Sequence, residues 1–240
     1  MMTAQPAVNG ASVLEHSIAT LRSAIMSGDL LPGQKLVEAD LAAALSISRN
    51  SLREALRALQ AQGLIELIPN RGPFVVKLGA DEVEDIHDVW ALMTGEMVHR
   101  FASRAQAKDI ASLASALRKL KLSLREGDTL AQLAATNAFF NCISTRCGNA
   151  ILMTTVQNLV ARINFLRARA LSREGWRTLC ANELSIIFDA IKAKRPSGAK
   201  AATKRHIASA CAAAKEAANT ASATTIRRRK RSPAQAYDRA

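Results

Sequence analysis

Aromatic side chains make up only 4% of the 240 residues, and there is a single tyrosine. Alanine and leucine dominate instead, so a mostly helical chain is expected. No uninterrupted apolar run reaches the roughly 18 residues that suggest a membrane span. The opening stretch MMTAQPAVNGAS has no charged segment followed by an apolar one, so it does not read as a signal peptide. These absences place the expected protein in the cytoplasm, with no membrane partner. The four cysteines, Cys142, Cys147, Cys180 and Cys211, lack the CxxC spacing of a zinc site and are expected as free thiols in a reducing compartment. There is no GxSxG, P-loop, HExxH or glycine-rich dinucleotide turn. The carboxylates of Asp81–Asp88 fall at a helix start, where the helix dipole favours them. No enzyme and no cofactor are expected.

Charge is abundant but uneven. The formal net charge is +13, yet residues 1–78 carry seven basic and six acidic side chains, and residues 79–190 carry thirteen and twelve. Residues 191–240 carry thirteen basic and two acidic side chains, so nearly all the excess sits at the C-terminal end. A case for DNA binding therefore has to rest on local pattern, not on net charge.

That pattern lies between Glu38 and Gly63. Glu38–Leu45 reads as a short helix with Leu41 and Leu45 four residues apart. Ser46-Ile47-Ser48 is too short for a loop with its own structure, and Ser48 is a natural N-cap for a second helix, Arg49–Gln62, closed by Gly63. At about 100° per residue, Leu52, Leu56 and Leu59 share one face with Ala55. Arg49, Arg53 and Arg57 form a ladder on the adjoining arc, with Asn50 beside it. One face is made to pack and the other to present guanidinium groups, the side chain suited to the O6/N7 edge of guanine in the major groove. The pair reads as a helix-turn-helix spanning about 38–62. Leu64–Ile68 and Phe74–Lys77 then read as two strands around the turn Pro69-Asn70-Arg71-Gly72-Pro73, a wing over 64–77 with Arg71 at its tip. Upstream, Leu14, Ile18, Leu21 and Ile25 mark an amphipathic first helix.

Leu14 to Lys77, within a first domain expected over 14–78, resembles the winged helix-turn-helix domain of the GntR family of bacterial transcriptional regulators. The resemblance is carried by SGDLLPGQKLVEADLA (Ser27–Ala42), SRNSLREALRALQAQGLIE (Ser48–Glu66) and PNRGPFV (Pro69–Val75). It implies DNA contacts by Arg49, Asn50, Ser51 and Arg53 on the second helix and by Arg71 and Gly72 on the wing. Ala39 stands where some relatives place a further DNA-contacting arginine.

After Gly79-Ala80 the pattern is helical throughout, with helices expected near 81–104, 107–126, 128–146, 148–172, 174–193 and 197–219. No strand-like alternation intervenes. An all-α bundle over 81–219 follows, so the whole chain is expected to be mainly α. This half resembles the FCD effector domain of the FadR-type branch, through DEVEDIHDVWALMTGEMVHRFASRA, CGNAIL at Cys147–Leu152, ELSIIFDAIKA at Glu183–Ala193 and KRHI at Lys204–Ile207. Many such domains hold a divalent metal that grips a carboxylate effector. The matching positions here are Asn137, Asn141, Leu184 and His206, and only the last is a good ligand. Trp90 and Thr94 replace an arginine and a glutamate. The resemblance therefore implies no metal, and an effector pocket of altered character around Trp90, Asn137, Asn141 and His206. Two readings stand, a pocket for a more apolar ligand or a domain that only dimerises. His16, His87 and His99 have no evident partners.

Residues 1–13 and the basic tail 220–240, with Arg227-Arg228-Arg229-Lys230-Arg231, are expected to be disordered. The tail either touches DNA phosphate or has no function. Together these features imply a homodimeric regulator, a repressor of a catabolic operon, that binds a palindromic operator in double-stranded DNA and responds to a small organic-acid-type metabolite. The rival class is an architectural DNA-binding protein with no effector response.

Overall fold

The computed structural model describes residues 10–230. Its secondary structure comprises α1 (Gly10–Ser27), α2 (Glu38–Leu45), α3 (Arg49–Ala61), β1 (Ile65–Ile68), β2 (Gly72–Val75), α4 (Ala80–Arg104), α5 (Ala107–Glu126), α6 (Thr129–Arg146), α7 (Ala150–Leu171), α8 (Glu174–Lys192) and α9 (Pro196–Lys230). The mainly helical architecture with one two-stranded wing is the one the sequence implies. The chain divides into two compact units. Among the described residues, one comprises those up to Lys77 with Gln157–Phe165, and the other Leu78–Val156 with those from Leu166 to Lys230.

In the first unit α3 is the organising element. Ser48 caps it, its hydroxyl accepting from the Ser51 N–H at 3.1 Å. Its far end is a Schellman turn, in which Leu64 N–H reaches Leu59 O and Gly63 N–H reaches Gln60 O. The left-handed Gly63 (φ +69°) makes that closure possible. Leu52, Ala55, Leu56 and Leu59 are buried, packed beneath α1 and α2 with Leu21, Ile25 and Leu36.

The wing departs from the expected strands. β2 begins at Gly72, so Gly72 and Pro73 belong to a strand and the turn is shorter than Pro69–Pro73. Ile65 pairs with Val75, Glu66 with Phe74, Leu67 with Pro73 and Ile68 with Gly72. Pro69 and left-handed Asn70 (φ +59°) form the turn, closed by Arg71 N–H to Ile68 O at 3.0 Å. The ladder tolerates Pro73 because its nitrogen points away from β1. On that other side its carbonyl accepts from Leu36 N–H, and Gly33 and Gln34 bond to Val75, adding an outer segment to the sheet.

In the second unit α4 packs on α9, α5 on α6 and α8, and α8 on α9. Phe101, Leu113, Leu120, Phe139 and Ile143 are fully buried. Helix starts carry the expected punctuation. Asp128 accepts from Ala131 N–H and Asn149 from Leu152 N–H, each at 2.9 Å, while Glu82 and Asp109 reach back to Gly79 and Gln106 N–H. The last helix runs past the end expected near 219. α1 begins at Gly10 and α9 runs to Lys230. No glycine or proline stands between Gly198 and Pro233, and alanine, arginine and lysine are strong helix formers. The rest of the N-terminus and tail, 1–9 and 231–240, lies outside the described residues. The four cysteines are free thiols, three of them buried.

Candidate DNA-binding surface and effector site

In the first unit, the packing of α3 through Leu52, Leu56 and Leu59 forces the opposite arc into solvent. Arg49, Asn50, Arg53 and Arg57 are all exposed, and Ser51 is half-buried. Ser51 is engaged twice at the helix start, by its N–H and by its hydroxyl, 2.9 Å from the Ser48 hydroxyl. Arg53 donates from Nε to Glu38 Oε2 at 2.9 Å. Arg71 is exposed at the wing tip with its guanidinium 5.3 Å from the centre of the Phe74 ring. Gly72 adopts φ +89°, and a Cβ there would meet nothing within 4 Å. Its requirement is therefore conformational and not one of space. Glu38 and Phe74 are the residues that sequence reading missed. They sit on other elements, and only the fold brings them to the two arginines.

In the second unit, His206 of α9 is buried and lies between two rings, Phe140 at 5.9 Å and Trp176 at 5.6 Å, both near-parallel to the imidazole. Its Nδ1 lies 2.9 Å from Glu183 Oε2, and Ser209 donates to the other oxygen of Glu183 at 2.8 Å. Trp90 is buried and meets Phe140 edge-on at 6.1 Å. Arg167 of α7 enters the same cluster, 5.1 Å from the Phe140 ring centre and 5.9 Å from that of Trp90, and donates to Asn137 Oδ1. Asn137 is half-buried, whereas Asn141, one turn further along α6, is exposed and its side chain makes no hydrogen bond among the described residues. The structure thus brings Trp90, Asn137 and His206 together around Arg167 and leaves Asn141 at the surface.

Burial sets the electrostatics here. It lowers the Arg167 guanidinium to about 10. It also lowers the His206 imidazole, against the opposing pull of Glu183. His87, buried on α4 with Nδ1 2.6 Å from Val83 O, is lowered for the same reason, and both imidazoles feel the Arg167 charge. The Trp176 Nε1–H and the Thr94 hydroxyl are buried without a hydrogen-bond partner among the described residues. The four positions that resemble a metal set do not fit one. Asn137 is taken by a cation, Asn141 is exposed, and Leu184 is a fully buried hydrocarbon. Arg167, Glu183 and Trp176 were not legible as site residues, because the stretches on α7 and α8 that resemble the family placed none of them in the site and only the packing brings them together. The one available signal was the spacing of His87, Trp90 and Thr94 along a single face of α4.

Comparison with known proteins matches this two-unit layout. Residues 15–75 match the model of the bacterial regulatory proteins of the gntR family, and residues 85–209 match the FCD domain. The galactonate operon transcriptional repressor of Escherichia coli (strain K12) is 28% identical over 232 residues, covering 84% of this chain and 96% of that one. The Nta operon transcriptional regulator of Aminobacter aminovorans is 30% identical over 151 residues, covering 60% and 70%. Among solved structures, a transcriptional regulator GntR from Rhodococcus sp. RHA1 superposes with a TM-score of 0.73 at 22% identity, covering 84% of this chain and 96% of that one. No described helix is long and apolar enough to cross a membrane. With an arginine-bearing helix and wing in one unit, a helical bundle in the other and both family models matched in that order, the chain belongs to the GntR family of bacterial transcriptional regulators, in the branch that carries an FCD domain.

Proposed function

We propose that this regulator binds a palindromic operator as a homodimer, with α3 of each protomer entering a major groove and the wing reaching the adjacent backbone or minor groove. Arg49, Asn50, Ser51 and Arg53 contact the groove, and Arg71 and the backbone of Gly72 act from the wing. The observation that carries the reading is the division of α3. Its leucine face is buried and its arginine face is exposed with no core role. The regulator is a repressor of a catabolic operon, since occupying a promoter requires no contact with polymerase. The names of the galactonate relative and of the gluconate operon transcriptional repressor of Bacillus licheniformis, 32% identical over 108 residues, support this.

The effector is a small organic anion, and Arg167 takes the part that a metal plays in other FCD domains. A desolvated guanidinium already engaged by Asn137, beside a Trp176 N–H buried without a hydrogen-bond partner among the described residues, makes a dry cationic site of the kind that favours a carboxylate. Trp90 and Trp176 are the two tryptophans of the chain, and both lie in this cluster. Intrinsic fluorescence therefore reports on the site directly. Titration with D-gluconate and D-galactonate should change the emission of the wild type and not that of Arg167→Met. An unchanged response in the variant removes Arg167 from the site.

The DNA-reading role is tested by Arg53→Ala. A bidentate arginine–guanine contact discriminates by roughly 1–3 kcal/mol, so a dimer loses roughly 2–6 kcal/mol of specific binding if the half-sites add. Binding to scrambled DNA should change far less. Equal loss on both duplexes would remove α3 as the reader, and a wild type with no sequence preference would leave the architectural reading.

A further inference from the structure

Arg53 lies in solvent, yet its guanidinium is tethered. Its Nε–H donates at 2.9 Å to Glu38, the first residue of α2, fifteen positions earlier in the chain. A guanidinium holds five N–H donors in a rigid fork, one on Nε and four on the two Nη atoms. Glu38 occupies the Nε edge. The two Nη groups remain, and they are the pair that can meet O6 and N7 of one guanine.

The tether also changes the charge seen by DNA. A lone arginine beside a duplex is drawn to phosphate as readily as to a base edge, and phosphate carries no sequence information. A carboxylate 2.9 Å away cancels much of the long-range attraction and leaves the directional donors in place. Stability does not account for the pair, since Arg53 is 60% exposed and such surface bridges contribute little. Arg49 and Arg57, on the same helix and also exposed, have no ion pair among the described residues. The carboxylate is thus placed against one arginine of the ladder. The packing of α2 on α3 fixes that choice, because Glu38 opens α2 and meets Arg53 across the contact.

We propose that Glu38 is a positioning residue that holds Arg53 by its Nε edge, so that Arg53 reads a base instead of clamping a phosphate. The proposal rests on the reading of Arg53 as a base-contacting side chain. Glu38 thereby sets sequence preference without touching DNA itself, and it weakens binding to DNA of the wrong sequence.

The test uses the full chain. Selection from a randomised duplex library defines the preferred site, and affinities are then measured on that site and on a scrambled duplex. The variants are Glu38→Ala, Glu38→Gln, Arg53→Ala and the double Glu38→Ala/Arg53→Ala, each checked for an unchanged thermal midpoint. Glu38→Ala should lower the ratio of specific to scrambled binding by about tenfold, a part of what the two bidentate contacts of a dimer supply, and partly by strengthening scrambled binding. Glu38→Gln keeps an oxygen for the Nε–H and should restore most of the preference. In the Arg53→Ala background, Glu38→Ala should change the ratio less than about twofold. A Glu38→Ala variant that shifts both duplexes by one factor overturns the proposal, since Glu38 then acts only by repelling phosphate. An undiminished effect in the Arg53→Ala background also overturns it, because Glu38 then reads DNA itself. If Arg53→Ala alone leaves the preference intact, the reader assignment fails first, and the positioning role falls with it.

Discussion

Arg53 and Arg167 are the same side chain in opposite surroundings. Arg53 stands on the solvent face of α3, paired with a carboxylate. Arg167 stands among aromatic rings, donates to a neutral amide, and is desolvated enough for its pKa to fall to about 10. Water screens the first, so its interactions contribute little until a partner displaces that water. The second is poorly screened, and it bears on every titratable group near it. On the proposed DNA-reading face the charges stay hydrated, and one of them is tethered. In the proposed effector site one charge is kept dry and ringed by aromatic side chains.

That contrast can be broken at several levels, beginning within α3 itself. Leu56→Ala should destabilise the first unit by roughly 2–5 kcal/mol, because its side chain is buried and the cavity cannot fully close. Arg57→Ala, one residue along on the exposed arc, should stay within about 0.5 kcal/mol. Chemical denaturation of both variants measures the difference, and equal losses would show that α3 has no division into packed and presenting faces. Ser48→Ala should cost about 1 kcal/mol by uncapping α3. It should also weaken operator binding beyond that of a scrambled duplex, since the Ser51 hydroxyl loses its partner in the first turn. Competition binding on the two duplexes decides this.

The smallest effect belongs to the dry site and appears as a pH dependence. The imidazoles of His206 and His87 are held below their ordinary values by burial. The unfolded chain therefore takes up protons first as pH falls, so the stability these groups contribute is present above about pH 6.5 and is lost on acidification below it. Melting curves from pH 7.5 to 5 should show a falling midpoint, with a shallower fall in His206→Gln. A rising midpoint would mean that Glu183 outweighs burial and that His206 is charged in the fold.

Much of the first unit was legible because its signals are local. The Ser48 cap, the Gly63 closure and the leucine spacing of α3 each act within a few residues, and each appears in the structure where the sequence places it. The helices of the bundle were legible for the same reason, through breaks such as Gly127-Asp128 and Gly148-Asn149. The wing was misread at Gly72-Pro73 because proline signals a turn by its local chemistry. Only the outer segment at Gly33–Leu36 shows that its missing N–H faces a tolerant edge. His87 looked partnerless in the sequence, since its acceptor is a backbone carbonyl on its own helix and its charged neighbour lies on α7.

The sequence by itself determined the succession of elements and the arginine ladder of α3. These are properties of residue type and spacing, which survive without knowing what packs on what. Tertiary structure alone decided that Glu38 meets Arg53, that Phe74 lies under Arg71, that Arg167 joins His206 and Trp90, and that Asn141 faces solvent. Each joins residues on different elements or depends on which face a neighbouring helix covers. No periodicity within one helix contains that information, because it is fixed by how the helices pack.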